Sequence, residues 1–146
     1  MKISENLNDI LFYTLENTVK SYRQYAQRII TANGFNITID QWLLLKTILE
    51  NPEQTQHQIA ETIFKDHASV TRMIELLVQK KYLERNAYLN DRRRFKVTVS
   101  QEATDMLKSI QPLIEQNRSV ALAGISQDQS KELRQILHTI INNCKS

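Results

Sequence analysis

The chain has 146 residues, of which 41% are hydrophobic, and this is enough for the core of one ordinary domain. One cysteine excludes an intrachain disulfide. No apolar run approaches the ~20 residues that a membrane span needs, which excludes a membrane-spanning chain. The N-terminus has no apolar export segment, so a cytoplasmic protein is expected. The net charge is +3, but it is unevenly distributed. Residues 65–96 contain nine Lys or Arg and four Asp or Glu, whereas the rest of the chain contains ten Lys or Arg and twelve Asp or Glu. A local basic patch of this kind is typical of nucleic-acid binding.

The first segment, from residue 6 to residue 31, has the pattern of one long amphipathic helix. Two Gly and two Pro in the whole chain already favour a mostly helical protein. Asn33-Gly34 is expected to stop this helix, because Gly adopts the left-handed conformation of a helix end without steric cost. The apolar stripe is longer than a small core needs, so part of it is expected to pack on another subunit. It consists of Leu7, Leu11, Leu15, Val19, Tyr22, Ala26 and Ile29.

A second helix is predicted to begin at Thr38. Thr38 and Gln41 have the spacing of a capping box, in which the hydroxyl and the amide side chain each satisfy a free backbone N–H. Asn51-Pro52 is expected to end this helix. We expect it to form the floor of the domain that follows, through Trp42, Leu45, Ile48 and Leu49.

Residues 54–100 have the element order of a winged helix-turn-helix, which is two short helices followed by a basic β-hairpin. Thr55 and Gln58 repeat the capping-box spacing, and Asp66 is the predicted N-cap of a second helix from Ala68 to about Lys81. At about 100° per residue, this second helix has one apolar side, which predicts its buried face. That side consists of Val70, Met73, Ile74, Leu77 and Val78.

The opposite side of this helix carries small residues, hydroxyl groups and one arginine, which suits entry into a DNA major groove. Arg72 can donate two parallel hydrogen bonds to guanine, and Ser69 and Thr71 can reach a base or a phosphate. An ordinary amphipathic helix with a solvated face would have the same periodicity. The helix alone therefore leaves both interpretations open.

The hairpin favours DNA binding. Residues 83–85 form a short extended run, and residues 95–99 alternate apolar and polar side chains as a half-buried strand does. Between them, Asn90-Asp91 is a turn-forming pair that is followed by Arg92, Arg93 and Arg94. Arginine at a hairpin tip is favoured in a narrow minor groove by the negative potential there, and Asp91 is close enough to orient one guanidinium. A solubilising loop would not explain three adjacent like charges.

Two helices are predicted after the hairpin. Ser100 caps the first, and Pro112 is expected to bend or interrupt it. Ser126 and Gln129 form a third capping-box pattern before a strongly one-sided last helix. Apolar stripes near both ends of the chain predict an intertwined helical dimer, because soluble monomers rarely expose contiguous apolar patches of that extent. The stripe of the last helix consists of Leu133, Ile136, Leu137, Ile140 and Ile141.

Four stretches resemble the multiple antibiotic resistance regulator (MarR) family of bacterial transcription factors. They are residues 59–61, 68–74, 77–83 and 90–100, and Asp91-Arg92-Arg93 is the most specific piece. The resemblance extends in layout over nearly the whole chain. It implies a recognition helix in the major groove, a wing arginine in the minor groove, and flanking helices that make a dimer. This chain has Tyr82 and Ala103 where the family usually has Gly.

The resulting prediction is a mainly α fold, with a winged helix-turn-helix domain that has a small β-hairpin wing and is flanked by N- and C-terminal dimerisation helices. Residues 1–146 form a single chain of this layout. Residues 36–100 are the predicted DNA-binding region, and residues 1–33 and 101–146 are the predicted helical dimerisation region.

The predicted DNA-binding residues lie on the two short helices and on the hairpin. They are Thr55, Gln56, His67, Ala68, Ser69, Thr71, Arg72, Asp91, Arg92, Arg93 and Arg94. The resemblance also implies a small-molecule pocket between the dimer helices and the winged domain. The candidates are Tyr22, Tyr25 and Trp42, together with Phe12 and Tyr13, although aromatics at helical spacing are more often plain core.

No enzyme, metal site or cofactor is predicted. The chain has no phosphate-binding glycine loop, and its three histidines have no second ligand at metal-binding spacing. Those histidines are His57, His67 and His138.

The sequence-based hypothesis is a sequence-specific repressor that binds double-stranded DNA as a homodimer on a pseudopalindromic operator and is released by a small-molecule effector. Two alternatives stay open. One is a winged-helix protein-interaction module that does not read DNA, and the other is a thiol redox switch through Cys144. Cys144 continues the apolar stripe of the last helix, so a small apolar filler is the simpler interpretation of it.

Overall fold

The computed structural model describes residues 4–88 and 91–145, and the side chains of residues 88 and 91–95 lie outside that description. The described residues have the predicted mainly helical winged fold, and none of their helices is long and apolar enough to cross a membrane. In the described ranges, a short 3-10 turn (Leu7–Asp9) precedes six α-helices and one hairpin. These are α1 (Leu11–Ala32), α2 (Ile39–Glu50), α3 (Gln56–Thr62), α4 (His67–Gln79), β1 (Leu83–Tyr88), β2 (Asp91–Val99), α5 (Gln101–Ala121) and α6 (Gln127–Cys144).

The first helix begins later than predicted. Ile10 is extended, with φ −87° and ψ 116°, so Leu7 belongs to the 3-10 turn and not to α1. The local sequence Asn6-Leu7-Asn8-Asp9 explains the break, because Asn and Asp side chains compete with the helical hydrogen bonds of the backbone. The predicted stop is confirmed, since α1 ends at Ala32 and Gly34 has a φ of 85°.

The second helix begins with the predicted capping box. The Thr38 hydroxyl accepts from the Gln41 N–H at 3.0 Å, and the Gln41 side chain accepts from the Thr38 N–H at 3.1 Å. Leu44 and Leu45 are fully buried, so α2 does form the floor of the core. Leu49, expected on the apolar side, is 44% exposed and does not belong to that core.

The helix-turn-helix consists of α3 and α4, and both predicted N-caps are present. Thr55 forms the capping box of α3, and the Asp66 side chain caps α4. Val70, Ile74 and Leu77 bury the inner side of α4 in the hydrophobic cluster that also contains the buried residues of α2.

The end of α4 differs from the expectation that the family's Gly suggested. Lys81 is the residue with a left-handed backbone, at φ 66°, and the Tyr82 N–H bonds back to the Leu77 carbonyl at 2.9 Å. A lysine thus occupies the position that usually favours Gly, one residue before Tyr82.

Strands β1 and β2 pair in antiparallel register from Leu83 opposite Val99 to Tyr88 opposite Asp91, with an irregularity at Ala87/Tyr88. Residues 91–94 belong to β2 itself, so this strand is longer than the predicted run of residues 95–99. The Ser100 hydroxyl then accepts from the Ala103 N–H at 3.1 Å and donates to the Lys81 carbonyl at 2.7 Å. The same serine therefore caps α5 and ties it to the end of α4.

By its internal contacts the chain divides into two compact units, Met1–Ile114 and Glu115–Ser146. The hydrophobic core lies in the first unit, where α5 contributes Leu107, Ile110 and Ile114. Helix α5 continues through Pro112 to Ala121, so of the two expected outcomes, a bend or an interruption, the interruption is wrong. One missing amide donor does not end a helix whose inner side is already buried before the proline.

The second unit contains the end of α5 and all of α6. The predicted capping box is present, because the Ser126 hydroxyl accepts from the Gln129 N–H at 3.1 Å. No residue of α6 is buried, and Leu133, Ile136 and Ile141 are 46–51% exposed.

Candidate nucleic-acid interface

The outer side of α4 presents the side chains that the sequence assigned to DNA. His67, Ala68 and Arg72 are exposed, while Ser69 and Thr71 are half-buried. Glu75 and Gln79 continue the exposed side toward the end of the helix. The first two turns of α4 thus combine small residues with one long cation, a surface that can approach the base edges of a major groove.

Two of the predicted DNA-contacting residues bond to each other. The Gln56 side chain of α3 donates to the Thr71 hydroxyl of α4, and that hydroxyl donates to the His67 carbonyl at 3.0 Å. A hydroxyl has one proton, so Thr71 has none left for a phosphate in this arrangement. Gln56 and Thr71 therefore hold α3 against α4, whereas Thr55, the N-cap of α3, stays exposed.

The start of α4 carries a linked set of three side chains. The two carboxylate oxygens of Asp66 accept from the Ser69 N–H at 2.7 Å and from the Ser69 hydroxyl at 2.9 Å. Arg72 Nη2 donates to the Ser69 oxygen at 3.3 Å. The bonds from the Ser69 backbone and hydroxyl, with the nearby Arg72 charge, hold the pKa of Asp66 below its usual range.

Sequence reasoning found Asp66 as a cap but missed its link to Arg72. The available signal was the spacing of residues 66, 69 and 72, since positions three apart lie side by side on a helix.

The predicted wing contacts are Asp91, Arg92, Arg93 and Arg94. The structure assigns all four to strand β2, immediately after residues 89 and 90, and their side chains lie outside the described part. The base of the same strand is anchored, because Lys96 forms an ion pair with Glu53 in the turn between α2 and α3.

Several lysines of the basic stretch have internal partners, which the charge count could not show. Lys65 Nζ lies 3.1 Å from the Asp40 carboxylate. Lys80 Nζ donates to the Asn36 carbonyl at 2.9 Å, and Lys96 pairs with Glu53. The cations that remain for a polyanion are therefore fewer than the sequence count suggested.

Asp40 joins three elements of the first unit. Its carboxylate bonds to Arg23 of α1 and to Lys65 of the α3–α4 turn. Burial alone would raise the pKa of Asp40, but the hydrogen bonds and charges of Arg23 and Lys65 outweigh it and lower that pKa. Arg23 and Asp40 also line two open grooves. One is lined by α1 and the start of α2, and the other by Phe12, Tyr13 and Val19 of α1 with Phe64 and Lys65.

Of the predicted pocket residues, Phe12 and Tyr13 line the second groove, whereas the half-buried Tyr22, Tyr25 and Trp42 line neither. Trp42 lies instead beneath Lys46, whose Nζ is 6.0 Å from the ring centre. Among the described residues, no group of three or more His, Cys, Asp or Glu side chains is placed to hold a metal ion. Cys144 is exposed at the last position of α6.

Comparison with known proteins identifies the fold. Residues 37–95 match the model of the MarR family. A probable transcriptional regulator from Pseudomonas aeruginosa superposes with a TM-score of 0.80 at 24% identity, covering 92% of this chain and 99% of that one. A MarR/EmrR family regulator from Acinetobacter sp. ADP1 gives 0.84 at 16% identity, with coverages of 97% and 99%. BpsR from Bordetella bronchiseptica gives 0.82 at 17% identity, with coverages of 94% and 97%.

Proposed function

We propose that the chain is a transcription regulator of the MarR family, whose model matches residues 37–95, and that it represses its target by binding a pseudopalindromic operator as a homodimer. The observation that carries this proposal is the outer side of α4. It exposes Arg72 among small residues, and α3 supports it through the Gln56–Thr71 bond.

In this proposal, α4 reads bases and the hairpin reads groove shape. Arg72 donates to a guanine in the major groove, a contact whose loss typically costs ~1–3 kcal/mol of discrimination. Arg93 enters the adjacent minor groove, where a narrow width concentrates the negative potential. Arg92 and Arg94 substitute for it in part.

The homodimer is supported by apolar side chains that stay in water in the single chain. On α1, Leu11, Phe12 and Val19 are 57–59% exposed, and on α6 three apolar residues are about half exposed. A second copy that covers both stripes would remove this surface from water, and burial is favourable by roughly 25 cal/mol per Å². Two recognition helices then place half-sites about one helical turn, ~10 base pairs, apart or at a multiple of it.

Release by a small-molecule effector is the further element of the proposal. The DNA binding of BpsR is regulated by 6-hydroxynicotinic acid. In this chain, the two grooves beside α1 and the half-buried Tyr22, Tyr25 and Trp42 are the places where an effector would act. A regulator that reads bacterial DNA works in the cytoplasm, and the proposal includes that location.

Selection of bound duplexes from a random pool tests the proposal. The parent protein is expected to enrich a pseudopalindrome. Arg72→Ala is expected to lose base preference at one position per half-site. Arg93→Ala is expected to have a lower affinity and a smaller slope of log affinity against log salt concentration, while its base preference in the major groove is unchanged. Lys108→Ala is the matched control, since it removes an exposed cation of α5 far along the chain from α4.

The outcomes are distinct. No duplex binding by the parent even at low salt would favour the protein-interaction alternative. If Arg93→Ala binds DNA with the affinity of the parent at every salt concentration, the hairpin does not contact DNA and α4 alone recognises the operator.

The dimer is tested by replacing Leu137 and Ile141 of α6 with Asp. This double change is expected to separate the subunits and abolish operator binding without altering a proposed DNA contact, because each Asp would place a charge in an apolar interface. Gln135→Asp adds a charge to the opposite side of the same helix and is the control. Analytical ultracentrifugation at micromolar concentration reads the result, and a monomeric parent would contradict the homodimer.

A further inference from the structure

The bonds at the start of α4 assign a role to Ser69 and Asp66 that differs from direct DNA contact. Ser69 has one hydroxyl proton and two lone pairs. An ionised carboxylate can only accept, so the proton of Ser69 is donated to Asp66 across 2.9 Å. The oxygen of Ser69 is then an acceptor, and it receives Arg72 Nη2 across 3.3 Å.

The direction of these bonds matters for function. A serine whose proton is already donated cannot donate to a phosphate or a base acceptor. Arg72 has five N–H donors, so the bond to Ser69 leaves four, which is enough for a two-bond contact with guanine. The bond also restrains a side chain that is otherwise one of the most flexible on a helix surface.

We propose that Asp66 and Ser69 are positioning residues that hold the Arg72 guanidinium in the orientation that binds guanine. The base preference at the position that Arg72 contacts then depends on a relay of two side-chain hydrogen bonds, from Asp66 to Ser69 and from Ser69 to Arg72. The inference rests on the proposed DNA reading by Arg72. Immobilising a flexible side chain in advance lowers the entropy lost on binding, and this corresponds to about a two- to tenfold gain in affinity.

The lowered pKa of Asp66 agrees with this arrangement. The backbone N–H and the hydroxyl of Ser69 are the leading causes, and the Arg72 charge adds to them. An aspartate is already ionised at neutral pH with its ordinary pKa, and a lowered pKa agrees with a carboxylate that accepts both bonds from Ser69.

Ser69→Ala is the informative variant. It removes the hydroxyl but keeps the backbone N–H that caps α4 on Asp66, and Ala is the best helix former, so folding is expected to be preserved. Preference for guanine over the other bases at the Arg72 position is expected to fall about two- to tenfold, which is the gain that immobilisation supplies. Ser69→Thr keeps a hydroxyl and is expected to restore most of that preference. Ser109→Ala, which removes a hydroxyl bonded to a backbone carbonyl on α5, is the matched control.

A double-mutant cycle identifies the route of the effect. In an Arg72→Ala background, Ser69→Ala is expected to change neither the base preference nor the affinity, because the residue it positions is absent. An equal loss in both backgrounds would show that Ser69 contacts DNA itself, and would overturn the relay. So would a Ser69→Ala preference identical to that of the parent.

A measurement without DNA tests the bonds directly. The pKa of Asp66, followed by NMR, is expected to be higher in Ser69→Ala than in the parent and in Ser69→Thr, because the variant loses one of the bonds that stabilise the carboxylate. Equal values in all three would contradict the hydroxyl bond. If the parent enriches no operator, the proposed function fails and the relay fails with it. If the operator is enriched but Ser69→Ala is indistinguishable from the parent, only the relay fails.

Discussion

Helices α4 and α6 begin in the same way but bury their apolar sides very differently. Each has a side-chain N-cap that accepts from the N–H three residues later, Asp66 in α4 and Ser126 in α6. In both helices, the residue two positions before the N-cap has a left-handed backbone conformation; this residue is Phe64 for α4 and Gly124 for α6. Yet Val70, Ile74 and Leu77 of α4 are 0–3% exposed, whereas no residue of α6 is buried.

The difference separates local from non-local information in the sequence. A cap and a 3.6-residue period depend on neighbouring residues, so both helices form from their own sequences. What covers an apolar side depends on a partner element. For α4 the partner is the cluster around Leu44 and Leu45 in the same unit. For α6 we propose that the partner is a second copy of the chain.

Leu77→Ala is expected to destabilise the fold strongly, because it removes a side chain from the buried face of α4. Leu77 is fully buried, and truncating such a leucine typically costs about 2–5 kcal/mol because a cavity remains. Leu133→Ala on α6 is the matched change at a side chain that is 47% exposed. At low protein concentration it is expected to cost less than about 0.5 kcal/mol.

Urea unfolding at two protein concentrations checks both variants. The stability of Leu77→Ala is expected to be low at each, whereas Leu133→Ala is expected to differ from the parent only at the higher concentration, where dimers form. A large loss for Leu133→Ala at the lower concentration would show that α6 is covered within its own chain.

The elements that sequence predicted well are those set by short-range chemistry. The capping boxes at Thr38, Thr55 and Ser126 each involve two residues three positions apart, and all three are present. The break at Ile10 and the continuation through Pro112 were missed because they depend on a balance of competing hydrogen bonds and packing. The ion pairs of Lys65 and Lys96 could not be predicted, because their partners lie 25 and 43 positions away.

Asp40→Asn is expected to weaken the polar attachment of the turn that precedes α4. The ion pairs to Arg23 and Lys65 are partly exposed, so the expected loss is about 1 kcal/mol at neutral pH. Because the pKa of Asp40 is lowered in the folded state, its stabilisation is present above the ordinary carboxyl pKa of ~4 and disappears as the pH falls through the folded-state value.

The parent and Asp40→Asn are therefore expected to differ in urea midpoint at pH 7 and to converge in acid. Asp128→Asn is the matched control, because Asp128 occupies the same second helical position in α6 and is exposed. A difference between Asp40→Asn and the parent that persists unchanged below the folded-state pKa would contradict an ionic origin.

The smallest expected effect concerns the two left-handed residues. Phe64 has a φ of 61° and its side chain is 90% exposed, so it carries the strain of that conformation while burying almost nothing. Gly124 has a φ of 85°, and among the described residues no atom other than those of Gly124 and its chain neighbours lies within 4 Å of the Cβ that a larger residue would add. Conformation alone therefore sets the effect of adding a Cβ at residue 124.

Exchanging these residue types sharpens the comparison between the two helix starts. Gly124→Ala is expected to destabilise by about 1 kcal/mol, because an L residue disfavours positive φ. Phe64→Gly is expected to stabilise by about 0.5 kcal/mol, because the relief of strain is partly offset by the greater freedom of Gly in the unfolded chain. Phe64→Ala keeps the Cβ and removes the ring, so it is expected to change little. Thermal unfolding of the three variants distinguishes backbone strain from side-chain contact. If Phe64→Ala loses as much stability as Gly124→Ala, the ring of Phe64 contacts a partner in the folded protein.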